Sequence, residues 1–165
     1  IAVDVRTEAL ALAEQFGAVG CLNARSVDSV SDAIHQLTGG GAHVSLDAVG
    51  NRHAMHSALH SLCKRGRHVQ VGLLAGADAD PRVPMGRVIG WELELLGSHG
   101  LQASEYPELL ELVTTGKLPA DQLIGRKISL EAAPAAQTSG VFGKLLPALK
   151  CPAPNEVRII IGEFT

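Results

Sequence analysis

The chain has 165 residues, 46% apolar and 19% charged, which suits one globular domain with a sizeable core and excludes a disordered segment. A formal charge of −3 and only 3% aromatic residues exclude a basic, stacking surface for nucleic acid or a basic one for anionic lipid. No apolar run reaches the roughly 18–20 residues that span a bilayer, and no signal-peptide pattern opens the sequence, so neither a membrane nor a nucleic-acid partner is expected.

The first predicted unit is a strand over Ile1–Val5 followed by a helix from about Thr7 to Phe16, with Thr7 as N-cap, Leu10 and Ala13 inward, and Gly17 as the stop. A short strand follows around Val19–Leu22. Val30, Ile34 and Leu37 mark the next helix, which ends in Gly39-Gly40-Gly41. The run "AHVSLDAVG" predicts a buried strand ending at Asp47, and Asn51 caps a helix reaching about Leu62. "RGRHVQVG" predicts a strand over Arg67–Val71, "LLAGADADPRVP" a loop, Met85–Trp91 a short helix, and "LELLGS" another strand. Ser104 caps a predicted helix with Leu109, Leu112 and Val113 inward, ended by Gly116. Beyond it, "RKISL" reads as extended, "EAAPAAQTS" as a helix with Pro134 in its first turn, and "EVRIII" as a last strand. Strands alternating with helices predict an α/β fold, a doubly wound parallel sheet.

Cys21, Cys63 and Cys151 lie far apart and form no metal-ligand spacing, which fits reduced thiols in a cytoplasmic protein. His53, His56 and His60 share one predicted helix, and His56 with His60 could chelate a metal. They lie opposite Met55, Leu59 and Leu62, however, so a solvated face is the expected reading and no metal site is assigned. There is no GxSxG elbow for a nucleophile, and Glu92/Glu94 and Asp78/Asp80 read as solvent positions.

Asp4 ends its strand where, in such a sheet, a carboxylate can bind a ribose diol and disfavour a 2′-phosphate. The plain alternative is an Asp that starts a turn. Arg6 beside it can stack on adenine or accept a phosphate. No three glycines have the GxGxxG spacing, and Gly39-Gly40-Gly41 follows a helix, which makes it a cap rather than a phosphate cradle. "DAVGN" (Asp47–Asn51), "VQVGLLAG" (Val69–Gly76) and His99 within "LLGSHGLQ" also stand at strand ends, where they would line one crevice with Asp4.

In their order, "IAVDVRTEALALAEQFGAVGCLNAR", "TGGGAHVSLDAVGN", "RGRHVQVGLLAG" and "LELLGSHG" resemble the coenzyme-binding, Rossmann-like domain of medium-chain, zinc-type alcohol dehydrogenases, from Ile1 to about Leu130. The resemblance implies NAD, in preference to NADP, with Asp4 on the adenosine ribose and Arg6 near the adenine. It implies Ala48, Val49 and Gly50 beside the adenosine half, Val71, Gly72 and Leu73 toward the nicotinamide, and Gly97, Ser98 and His99 toward its carboxamide. The family's first strand, its phosphate loop and its zinc-bearing catalytic domain have no counterpart in this sequence. A partial domain with an open slot at the sheet centre is therefore expected, inert by itself, with zinc held elsewhere. Residues 140–165 match the family's ending poorly. The resemblance also implies a homo-oligomer paired through the last strand, "EVRIII". A zinc-free quinone or enoyl reductase of the same superfamily, and a non-catalytic nucleotide-binding or oligomerisation remnant, are the alternative readings.

Overall fold

Strand β1 (Ala2–Asp4) is buried along its whole length, as a parallel strand covered on both faces must be. Helix α1 (Thr7–Gln15) lays Leu10 and Ala13 against Ala2 of that strand. Its N-cap position falls on Arg6, with no side-chain cap, so Thr7 is the first helical residue rather than the cap. Gly17, at φ +94°, turns the chain out of the helix, a conformation glycine adopts without strain. The next strand, β2 (Cys21–Asn23), begins two residues later than predicted, and Val19 is left 96% exposed.

In α2 (Val30–Thr38) the Ser29 hydroxyl accepts the Asp32 amide at the N-terminus, and Ile34 is fully buried. Strand β3 (Ala42–Asp47) leads to Asn51, whose Oδ1 accepts the amides of His53 and Ala54 and so starts α3 (Arg52–His60) as the sequence predicts. The predicted extension of this helix to Leu62 is not observed. Leu62 instead opens β4 (Leu62–Gln70), which pairs first through Leu62 with Ala42 and resumes at Arg67 with Val44 across an irregularity. Met55, Leu59 and Leu62 then form one cluster with Val88 of α4 (Met85–Trp91) and with Leu93. Full burial of such side chains stabilises the fold by about 1.5–3 kcal/mol each. β5 (Glu94–Gly97) follows.

The structure is a computed structural model that describes residues 1–123 and the strand β6 (Arg158–Ile161). Two compact units are present: residues 1–98 with β6, and a second that contains α5 (Tyr106–Thr114). In the second unit Ser104 lies in a 3-10 turn, and the residue before the helix is Glu105, not Ser104. The predicted segments "RKISL" and "EAAPAAQTS" lie outside the described residues.

The described strands form one parallel sheet in the order β2-β1-β6-β3-β4-β5. Strand order reverses between β1, which leads outward to β2, and β3, which leads the other way to β4 and β5. This doubly wound, Rossmann-like arrangement is the one expected. The centre of the sheet, however, does not stand open. β6 fills it, pairing Ala2 with Ile160 on one side and Leu46 with Ile160 on the other. Unpaired inner edges on β1 and β3 would leave buried amides and carbonyls without partners, and a parallel strand between them satisfies both rows. The same placement corrects the expectation that "EVRIII" is a dimer edge. Both hydrogen-bonding edges of β6 are taken within the sheet, and the outer strands are β2 and β5.

Candidate functional site

In an open parallel sheet, ligands bind beyond the carboxyl ends of the strands at the point where strand order reverses. Here that point is flanked by Asp4, the last residue of β1, and Asp47, the last residue of β3. The Asp4 side chain is fully buried. Its Oδ1 accepts the Arg6 amide at 2.8 Å, and the Arg6 guanidinium lies 3.8 Å away. The turn after β1 thus wraps its own carboxylate, which anchors the acid and brings a cation beside it.

Asp4 lines a cavity of about 190 Å³. Val3, Val5, Ala24, Val30 and Val49 supply apolar wall. Asn51, His53 and Ser57 of the α3 segment add polar groups. A mostly apolar cavity with a few polar groups is suited to a flat heterocycle joined to a hydroxylated ring.

A second group of sequence-predicted residues gathers around Asp47, which is fully buried. Its Oδ1 accepts the amides of Val49 (2.8 Å) and Gly50 (3.0 Å), and its backbone carbonyl accepts those of Val71 (2.9 Å) and Gly72 (2.7 Å). The turns after β3 and β4 therefore converge on one residue. Ala48 lies between Asp47 and Val49 and is half-buried, whereas the Leu73 side chain is 65% exposed. Gly97 pairs with Gln70, and the Ser98 amide donates to the Gln70 carbonyl at 2.9 Å, which adds the end of β5 to this group. His99 is exposed and is the first residue of the second unit.

His53 and Ser57 have no place in the crevice expected from the sequence, and Asp47, Asn51 and Gln70 enter it only as members of strand-end segments. A signal for Asp47 and Gln70 individually exists. In a strand buried on both faces, polar residues at alternate positions (Ser45 and Asp47, then His68 and Gln70) need partners, and those partners are each other. Among the described residues no group of three or more His, Cys, Asp or Glu side chains could hold a metal ion, so a zinc site does not fit the residues at hand. His53 and His56 are exposed, as expected of a solvated face, while His60 is half-buried.

Residues 1–115 match the family model described as "Zinc-binding dehydrogenase". The chain belongs to this family. It is 32% identical over 133 residues to a curated NAD-dependent alcohol dehydrogenase of Sulfurisphaera tokodaii, covering 81% of this chain and 37% of that one. Identity to the erythritol/L-threitol dehydrogenase of Mycolicibacterium smegmatis is 31% over 138 residues, covering 79% and 35%. Among solved structures, an alcohol dehydrogenase zinc-binding domain protein from Burkholderia ambifaria superposes with a TM-score of 0.71 at 28% identity, over 84% of this chain and 38% of that one. The chain thus corresponds to the coenzyme-binding part of zinc-type alcohol and polyol dehydrogenases, and it spans 37% and 35% of the two curated relatives' lengths.

Proposed function

We propose that this chain binds NAD, in preference to NADP, as the coenzyme-binding part of an alcohol or polyol dehydrogenase. The observation that carries the proposal is the buried Asp4 carboxylate at the end of β1, lining a mostly apolar cavity beside the strand-order reversal. Asp4 would accept hydrogen bonds from the adenosine ribose, with Val49 and the rest of the slot around the adenine. A 2′-phosphate would bring two negative groups together there, an unfavourable contact that Arg6 offsets in part. Ala48, Gly50, Val71, Gly72, Leu73, Gly97, Ser98 and His99 are assigned to the remainder of the coenzyme as the family resemblance implies.

The relative that is 32% identical is named NAD-dependent, which supports NAD over NADP. In enzymes of this class the nicotinamide exchanges a hydride with the carbinol carbon. Zinc and the substrate pocket are assigned to residues outside this chain, and the chain alone should oxidise no alcohol. A reducing, cytoplasmic compartment is part of the same reading; the described thiols Cys21 and Cys63 are free.

Calorimetric titration of the chain with NAD and with NADP tests the proposal. NAD is expected to bind and NADP to bind at least about tenfold more weakly, roughly 1.4 kcal/mol. Equal affinity would remove the role given to Asp4, and heat from neither nucleotide would sink the coenzyme reading. Alcohol oxidation by the purified chain would overturn its inertness.

A further inference from the structure

On one face of the sheet, β3 and β4 set Ser45 opposite His68 and Asp47 opposite Gln70. Ser45 Oγ is 3.0 Å from His68 Nδ1, and His68 Nε2 is 3.2 Å from Gln70 Oε1. Gln70 Nε2 is 2.8 Å from both Asp47 Oδ2 and the Gly72 carbonyl. The direction of this chain follows from chemistry. The Gly72 carbonyl can only accept, so the Gln70 group facing it is the NH₂, and the Gln70 oxygen faces His68. His68 must then carry its proton on Nε2, leaving Nδ1 to accept from the Ser45 hydroxyl. Each member has one arrangement that satisfies all of its neighbours, and the line ends at Asp47.

At that end, Gln70 uses both amide protons, one for the carboxylate of the turn after β3 and one for the carbonyl of the turn after β4. The other Asp47 oxygen is left for the Val49 and Gly50 amides. The two turns also touch directly: a Cβ on Gly50 would fall 2.5 Å from the Leu73 carbonyl oxygen. A leucine at position 70 would bury no polar group of its own. What the amide adds is a defined orientation of Asp47 and hence of both turns.

We propose that Gln70 is a positioning residue: it aims the Asp47 carboxylate at the Val49 and Gly50 amides and locks the turns after β3 and β4 into one coenzyme-facing rim. The consequence for coenzyme rests on the NAD reading above; the locking of the turns does not.

Amide hydrogen exchange by NMR on the full 165-residue chain tests both parts, with Gln70→Leu and Gln70→Glu as the variants. In Gln70→Leu, protection of the Val49 and Gly50 amides should fall at least tenfold while β1 and α1 amides keep theirs, and NAD should bind at least fivefold more weakly. Gln70→Glu supplies a pH signature. Among the described residues, Asp47 and His68 are the titratable side chains hydrogen-bonded to position 70. At about pH 8 two facing carboxylates repel and the turn amides lose protection; near pH 5 the introduced carboxyl is protonated, donates to Asp47, and protection returns. Unchanged protection at Val49 and Gly50 in Gln70→Leu overturns the proposal. So does a loss spread evenly over the sheet with a matching drop in thermal midpoint, which would mean packing alone, and so does a Gln70→Glu variant whose protection ignores pH. Absence of NAD binding by the wild-type chain, with the exchange pattern as expected, would overturn the coenzyme reading and leave the locking of the turns standing.

Discussion

Gly50 and Gly72 meet backbone to backbone: a Cβ on Gly72 would lie 2.6 Å from the Gly50 Cα, closer than real atoms pack. The contact joins the turns after β3 and β4, and neither residue can be replaced without moving both. Gly72→Ala should therefore cost about 1–3 kcal/mol of stability through overpacking. Gly50→Ala should cost more, because φ at Gly50 is +78° and a side chain there adds strain to the clash. Gly97→Ala is the control, since its Cβ would meet nothing within 4 Å. Urea midpoints for the three variants check the ranking. A Gly72→Ala chain as stable as Gly97→Ala would show that the turns are not in contact.

That contact also marks how far the sequence could be read. Gly17, Gly39 and Asn51 announce the helix ends they make, because a left-handed turn or an N-cap is a local event with a local residue preference. The place of Asp4 at the end of its strand is legible in the same local way, since it closes a short apolar run. The position of β6 was not. "EVRIII" has the composition of a strand, but composition sets the period of side chains and not which strands lie alongside. The inner edges of β1 and β3, not residues near 158, decide that placement. His68 and Gln70 show in the sequence as polar residues of a buried strand, but with whom they pair does not show: their partners Ser45 and Asp47 lie 23 residues away and become neighbours only through the register of β3 with β4.

Asp4→Asn keeps the shape of the side chain and its bond from the Arg6 amide while removing the charge. Affinity for NAD should drop about tenfold, or roughly 1.4 kcal/mol, since an amide accepts ribose hydroxyls more weakly than a carboxylate. NADP should lose less or gain, because the repulsion of its phosphate is gone. The pair of titrations reads as a ratio, so a general loss of fold cancels out. An unchanged NAD-to-NADP ratio would show that Asp4 does no more than close its own turn.

Arg87 of α4 ties the far end of α3 in place. Its Nε donates to the Leu59 carbonyl at 3.3 Å, and one Nη donates to those of His60 (2.9 Å) and Leu62 (3.1 Å). The guanidinium lies 3.7 Å from the centre of the Trp91 ring. A cation is well placed at a helix C-terminus, where carbonyls lack intrahelical donors. Arg87→Met keeps much of the stem but none of the donors, and should destabilise the chain by about 1.5–3 kcal/mol. Arg87→Lys should recover only part of this, because an ammonium cannot reproduce the planar fork over the indole. Thermal unfolding of both variants measures the order, and full recovery by lysine would mean that charge alone matters.

Burial holds the His68 imidazole below its ordinary pKa; the Gln70 hydrogen bond and the Asp47 charge oppose that shift without cancelling it. Burial also lowers His60, with the positive charges of His56 and Arg87 adding to the effect. The sign follows from linkage. Above the ordinary histidine value of about 6.5 both folded and unfolded chains carry neutral imidazoles, and these groups make no difference. As pH falls through about 6.5 the unfolded chain takes up protons that the folded chain refuses, so stability is lost toward acid. Urea unfolding at steps from about pH 7.5 to about pH 5 should show this decline. His68→Leu should flatten the slope even though it starts from lower stability, because Ser45 and Gln70 each lose a partner. His60→Gln should flatten it separately, since among the described residues the two imidazoles share no hydrogen-bond partner. A His68→Leu slope identical to wild type would mean that the imidazole protonates as readily in the folded chain as in the unfolded one.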